Sequence, residues 1–177
     1  MNNSATVRPA TDDDVAAITK IYAHYVRNGT VTFEIEPPDS SEMARRRADV
    51  QKHKLPYLVA QVNGSVAGYA YAVPYRPRRA YRFTVEHSIY VHPAHIGQGL
   101  GRMLLPALIA DCEQRGYRQM IAVIGGSDNI ASIRLHENFG FTHAGVLRTV
   151  GFKFGRWLDS VLMQRSLGPG DATLPAD

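Results

Sequence analysis

The apolar positions of this chain fall into short blocks whose spacing alternates between the period of a helix and that of a strand. Residues 7–10 read as a short strand ending near Pro9, and Thr11-Asp12-Asp13-Asp14 then reads as a helix start, with a capping threonine and acids in the first turn. Val15, Ile18, Tyr22, Tyr25 and Val26 recur at helical spacing, so one face of that helix is buried before Asn28-Gly29 ends it. A second, polar helix is expected from Ser40 or Ser41 to about His53. Two runs, residues 57–62 and 66–73, flank Asn63-Gly64, a strong hairpin signal. Residues 74–82, aromatic and rich in arginine, form a loop, and residues 84–91 form the next strand.

Residues 93–101 read as loop and residues 100–115 as a helix closed by Gly116. Pro106 inside that helix removes a hydrogen bond and should kink it. A strongly apolar strand over 119–124 and a helix over 129–139, stopped by Gly140, come next. Strands near 142–147 and 157–166 close the pattern. From Gly168 onward the pattern is lost, so we expect one domain over residues 1–167 and a disordered tail over 168–177. The order β-α-α-β-β-β-α-β-α-β-β implies an α/β (α+β) fold: a mixed central sheet of about seven strands with helices on both faces.

Composition changes this picture little. The 177 residues suffice for one core without staples, and no stretch approaches the ~20 apolar residues of a membrane span. The start carries no run resembling a secretory leader, and Cys112 is the single cysteine, so no internal disulfide can form. A cytoplasmic protein is the expectation. The net charge of +4 suits an anionic ligand as well as nucleic acid. Lysine is confined to Lys20, Lys52, Lys54 and Lys153, and the other basic residues are arginine. One local cluster, Arg76-Pro77-Arg78-Arg79-Ala80-Tyr81-Arg82, stands out from that bias.

The most informative stretch is His92-Pro93-Ala94-His95-Ile96-Gly97-Gln98-Gly99-Leu100-Gly101-Arg102, between a predicted strand and a predicted helix. Glycine at alternate positions lets the backbone approach a ligand, and free N–H groups at a helix start attract anions such as a diphosphate. A Walker loop is excluded because no Gly-Lys pair exists. A Rossmann fingerprint is excluded because Arg102 stands three residues after Gly99. What remains is either a glycine-rich tight turn or an anion cradle.

Val91-His92-Pro93 with Gly97-Gln98-Gly99-Leu100-Gly101, followed by Asn129-Ile130-Ala131-Ser132 and His136-Glu137-Asn138-Phe139-Gly140-Phe141, resembles the acetyl-CoA motifs of the GNAT acetyltransferase superfamily. The resemblance covers residues 7–167. It departs at His95-Ile96, where the superfamily usually carries Gln or Arg. Thr32-Phe33-Glu34, Glu36-Pro37, residues 85–91, Ala122-Val123-Ile124-Gly125 and residues 150–157 resemble more narrowly the phosphinothricin and methionine sulfoximine N-acetyltransferases.

This resemblance implies acetyl-CoA as co-substrate and the α-amine of phosphinothricin, methionine sulfoximine or methionine sulfone as acceptor. The other enzymatic reading is a different amine: another amino acid, a polyamine or a protein. A nucleic-acid-binding module is the remaining reading, and it leaves the glycine loop without a purpose. Cofactor contacts are expected from Ile89, Tyr90, Val91, Gly97, Gln98, Gly99, Leu100, Gly101, Arg102 and Asn129. Glu86, in an apolar strand, is the candidate general base or else the partner of a nearby arginine. His136 stands where the superfamily often has a proton-donating tyrosine, and is either that acid or a packing residue. Phe33, Arg76, Pro77, Arg78, Glu86, His87, Ser88 and Lys153 are the candidate acceptor contacts, with Tyr75 near them. No metal is expected, because the histidines lack ligand spacing. The resemblance also suggests a homodimer through the late strands.

Overall fold

A computed structural model describes residues 5–175. Seven strands run in the spatial order β1-β2-β3-β4-β5-β7-β6, with β1 Ala5–Pro9, β2 Tyr57–Val62, β3 Ser65–Pro74, β4 Thr84–Val91, β5 Gln119–Gly125, β6 Thr142–Lys153 and β7 Arg156–Ser166. Four helices cover the sheet: α1 Val15–Asn28, α2 Ser40–Lys52, α3 Leu100–Gln114 and α4 Ile130–Asn138. The expected α/β architecture with seven strands and helices on both faces is what the chain adopts. Tyr22 of α1 meets Tyr90 on one face of β4, whereas Gly101 of α3 and His136 of α4 meet Ile89 and His87 on the other.

Local chemistry accounts for the element ends. Asp39 accepts a hydrogen bond from the Glu42 amide at 2.8 Å and so caps α2. Asn63 and Gly64 both lie at positive φ and close the β2–β3 hairpin. Leu104, Leu105 and Leu108 of α3 are fully buried in the same apolar cluster as Ala70 and Met120 of the sheet, and Leu104 reaches Gly68 of β3. Helix α3 continues without a break through Pro106.

Two expectations are revised. The β6 strand extends to Lys153 rather than ending near Leu147, because the ladder with β7 slips between Leu147 and Gly151. Thr149 sits there at φ 50°, and such a bulge breaks the two-residue alternation by which a strand is recognised. The tail expected to be disordered makes hydrogen bonds in its described part: Gly168 N–H donates to Glu113, and the Arg118 guanidinium donates to Gly170 O and Thr173. Its last two residues lie outside the described residues.

One joint sets up the functional site. Among the described residues every neighbouring strand pair is antiparallel except β4 and β5, which are parallel and paired only from Thr84↔Gln119 to His87↔Ala122. Both strands continue past that point, β4 to Val91 and β5 to Gly125, without pairing to each other. The sheet therefore opens along residues 88–91 and 123–125.

Candidate active site

A cavity of 580 Å³ occupies this opening. Neighbouring side chains on a strand point to opposite faces, yet consecutive β4 residues His87, Ser88, Ile89, Tyr90 and Val91 all line the cavity, as do Ala122 to Gly125 of β5. The cavity thus reaches both faces through the split. At one end it meets the start of α3, where Gly97 and Gly99 hold φ of 81° and 82°, conformations that side-chain-bearing residues resist. An added Cβ at either glycine would meet open space. Neighbouring amides are spent locally, Ile96 on Pro93 O, Gln98 on His95 O and Arg102 on Gly99 O. Among the described residues no hydrogen-bond acceptor meets the amides of Gly97, Gly99, Leu100 or Gly101. Four unspent donors at the positive end of a helix leave a place where an anion could be received.

Of the expected cofactor residues, Ile89, Tyr90, Val91, Gly97, Gly99, Leu100, Gly101, Arg102 and Asn129 line this cavity. Gln98 does not. Its carboxamide turns back to donate to Ala94 O at 3.1 Å and to meet His95 Nδ1 at 3.0 Å. Asn129 also caps α4, accepting from the Ser132 amide at 3.3 Å. Tyr25, Val31, Arg134 and Leu135 also line the cavity and were not among the expected site residues. Tyr25 donates to Val91 O, a contact across 66 residues that no local pattern encodes.

The expected acceptor residues separate into groups. Glu86, half-buried, stands on β4 one residue before the last pair with β5. Burial raises its pKa, and the nearby Arg76 guanidinium opposes that shift. Arg76, Pro77 and Arg78 are exposed, outside the cavity lining, with Arg76 stacked over Tyr75 at 5.0 Å. Lys153 does not reach the cavity. Its ammonium is buried and donates to Gly29 O at 2.8 Å and Thr32 O at 2.9 Å. Phe33 packs flat against Gly151, where a Cβ would fall 2.4 Å from its ring.

His87 and His136 form a buried pair, Nε2 to Nε2 at 3.1 Å. His136 Nδ1 lies 2.7 Å from Ser132 O, and a carbonyl only accepts, so that nitrogen carries the proton. In the neutral ring Nε2 is then an acceptor and takes the His87 Nε2–H. Burial keeps both rings neutral, lowering the His136 pKa and pushing His87 down to about 3, with the neighbouring ring adding to the latter. Both His136 nitrogens are thereby engaged, an arrangement unlike a free proton donor. Among the described residues no cluster of histidine, cysteine or carboxylates could hold a metal, and no helix is long and apolar enough to cross a membrane.

The split sheet and the amide cradle match a family built around this geometry. The acetyltransferase (GNAT) family model matches residues 18–141. The chain belongs to the GNAT family. It is 59% identical over 172 residues to a phosphinothricin N-acetyltransferase of Alcaligenes faecalis, covering 97% of this chain and 87% of that one. It is 44% identical over 162 residues to the L-methionine sulfoximine/L-methionine sulfone acetyltransferase of Salmonella typhimurium, covering 92% of this chain and 94% of that one. A GNAT superfamily phosphinothricin acetyltransferase from Sinorhizobium meliloti, solved in complex with acetyl-CoA, superposes with a TM-score of 0.95 at 48% identity over 98% of this chain and 94% of that one. The GNAT chain is thus an acetyl-CoA-dependent N-acetyltransferase, and its unspent amides and open strand edges fit that co-substrate.

Proposed function

We propose that this acetyltransferase acts on the α-amine of a small amino-acid analogue of the phosphinothricin, methionine sulfoximine or methionine sulfone kind, with Glu86 as general base. The observation that carries the mechanism is Glu86 itself, a half-buried carboxylate with a raised pKa two residues before the sheet opens at Ser88. Such a group takes a proton from the acceptor ammonium, directly or through water, at near-neutral pH. The names of the 59% and 44% identical relatives support the acceptor class.

The remaining roles follow from the chain's own groups. The amides of Gly97, Gly99, Leu100 and Gly101 hold the diphosphate of coenzyme A, and Arg102 and Asn129 border it. Unpaired peptide groups along residues 89–91 of β4 donate to the thioester oxygen as it gains charge, and one such donor is worth about 3 kcal/mol. The departing thiolate is a weak base, with a pKa near the ~8.5 of a cysteine thiol, so solvent can protonate it. His136 is then a fixed neighbour of His87. Arg76, which already acts on Glu86, is the best placed of the arginine cluster to hold the acceptor's carboxylate. The cationic character of that cluster disfavours a polyamine. A homodimer through the exposed apolar side chains of β6 and β7 completes the reading.

Steady-state thiol release with acetyl-CoA and each of the three acceptors tests the assignment. Turnover is expected with at least one. Release with none of them, alongside release with an unrelated amine, would replace this acceptor class with the broader one.

A further inference from the structure

Lys153 is a buried cation, and among the described residues its bonded partners are two backbone carbonyls and no carboxylate. Its side chain is 3% exposed, its ammonium faces two backbone carbonyls, and the ring of Phe154 lies 5.1 Å below it. Burial lowers its pKa, an effect that Glu34 partly opposes. Burying an ammonium is costly unless its donors are satisfied, so the carbonyls of Gly29 and Thr32 are held in place by the group that needs them.

Those carbonyls belong to residues 29–34, a connection without regular secondary structure between α1 and α2. The same connection bears on the active site in several ways. Val31 lines the coenzyme cavity beside Gly125. Gly125 approaches so closely that a Cβ there would fall 2.5 Å from Thr30 O. The Thr32 hydroxyl hydrogen-bonds Tyr22 at 2.9 Å, on the face of β4 that carries Tyr90 and Glu86. Phe33 is seated on Gly151, two residues before Lys153 on the same strand. One strand therefore fastens this connection twice, once by shape at Gly151 and once by charge at Lys153.

Resting on the amino-acid acceptor reading above, we infer that Lys153 is a positioning residue: by binding the carbonyls of Gly29 and Thr32 it fixes residues 29–34 as the acceptor-side wall of the split sheet. It touches neither the coenzyme cavity nor the reacting atoms. Its loss acts on acceptor binding through the wall, and does so whether or not the acceptor carries a negative charge.

The test compares wild type, Lys153→Met and Lys153→Gln with two acceptors, a free amino acid that the wild type turns over and its carboxamide. Lys153→Met is expected to raise KM about tenfold for both, the scale of losing hydrogen bonds from a charged group. Coenzyme A affinity by calorimetry falls less than the acceptor KM rises, because Val31 alone of this connection lines the coenzyme cavity, and hydrogen exchange quickens over residues 29–36. Lys153→Gln keeps N–H donors and recovers part of the loss. If Lys153→Met fails to fold, Lys153→Gln carries the same comparison with a smaller rise. A KM rise confined to the carboxylate-bearing acceptor would overturn the inference in favour of direct contact. A lower Tm with unchanged KM and unchanged exchange over residues 29–36 would overturn it in favour of mere structural support. Failure of the acceptor reading is distinct, since the wild type would then turn over no amino acid at all.

Discussion

At Glu86 two influences of opposite sign meet in one side chain: burial raises its pKa, and Arg76 lowers it. A base works only when ionised, so activity falls as pH drops through that raised pKa. Arg76→Ala removes the opposing charge and should move the acid limb of kcat/KM to higher pH, measurable in a simple pH profile. Glu86→Gln is expected to lower kcat by ~100-fold or more while leaving coenzyme affinity unchanged. Stability moves the other way. A carboxyl whose folded pKa exceeds its unfolded value contributes stability that is full below the unfolded value, here 4.5, and is lost as pH rises through the folded value. Glu86→Gln should therefore raise Tm at pH values above the raised folded pKa and leave it unchanged below the unfolded value. An unchanged acid limb in Arg76→Ala would mean that the arginine acts elsewhere.

Elements carry the next level of cause. The α3 start offers its amides because Gly97 and Gly99 hold left-handed conformations that cost other residues about 1–2 kcal/mol each. Gly99→Val adds that strain and projects a branched side chain into open space beside the cradle. Coenzyme A affinity by calorimetry should fall at least ~10-fold, the scale of one lost charge-assisted hydrogen bond, with the far-ultraviolet spectrum retained. The place of this glycine loop between a strand and a helix was legible in the sequence, because its spacing is local. The opening beside it was not: nothing within residues 84–91 or 119–125 states that their pairing stops at His87. Gln98 shows the same limit. Its place in the loop was read correctly, but its turn toward Ala94 and His95 depends on a local fold that spacing does not reveal. Lys153 was expected near the acceptor because its neighbours resemble a known motif. Its carbonyl partners lie 121 and 124 residues away.

For the molecule as a whole, the outer edge of the sheet is unusually apolar. Phe152, Phe154 and Trp157 are 57%, 59% and 64% exposed, and Val146, Leu147 and Val150 continue the patch along β6. Contiguous apolar surface of this kind marks an interaction face on a soluble fold. A second copy would cover it, as the proposed homodimer requires. Light scattering should give twice the chain mass for wild type, and the single-chain mass for the double variant Phe152→Asp with Trp157→Asp. Twice the mass in both would move the interface elsewhere. The sequence disclosed the number and order of the strands well, since each is a local pattern. It under-read β6, because the bulge at Thr149 interrupts the alternation within the strand that bears most of the patch.

The brief pairing of β4 with β5 has a mechanical consequence. Among the described residues the ladder between the half of the sheet formed by β1 to β4 and the β5-β7-β6 half has four rungs, Thr84 to His87 against Gln119 to Ala122. The free enzyme therefore carries a fault line, fastened at one end and gaping at the other. Local fraying should begin at the gaping end, so that solvent-exchange protection on the β4-facing side of β5 declines from Gln119 toward Gly125. Saturating coenzyme, lodged in the gap, should level that gradient.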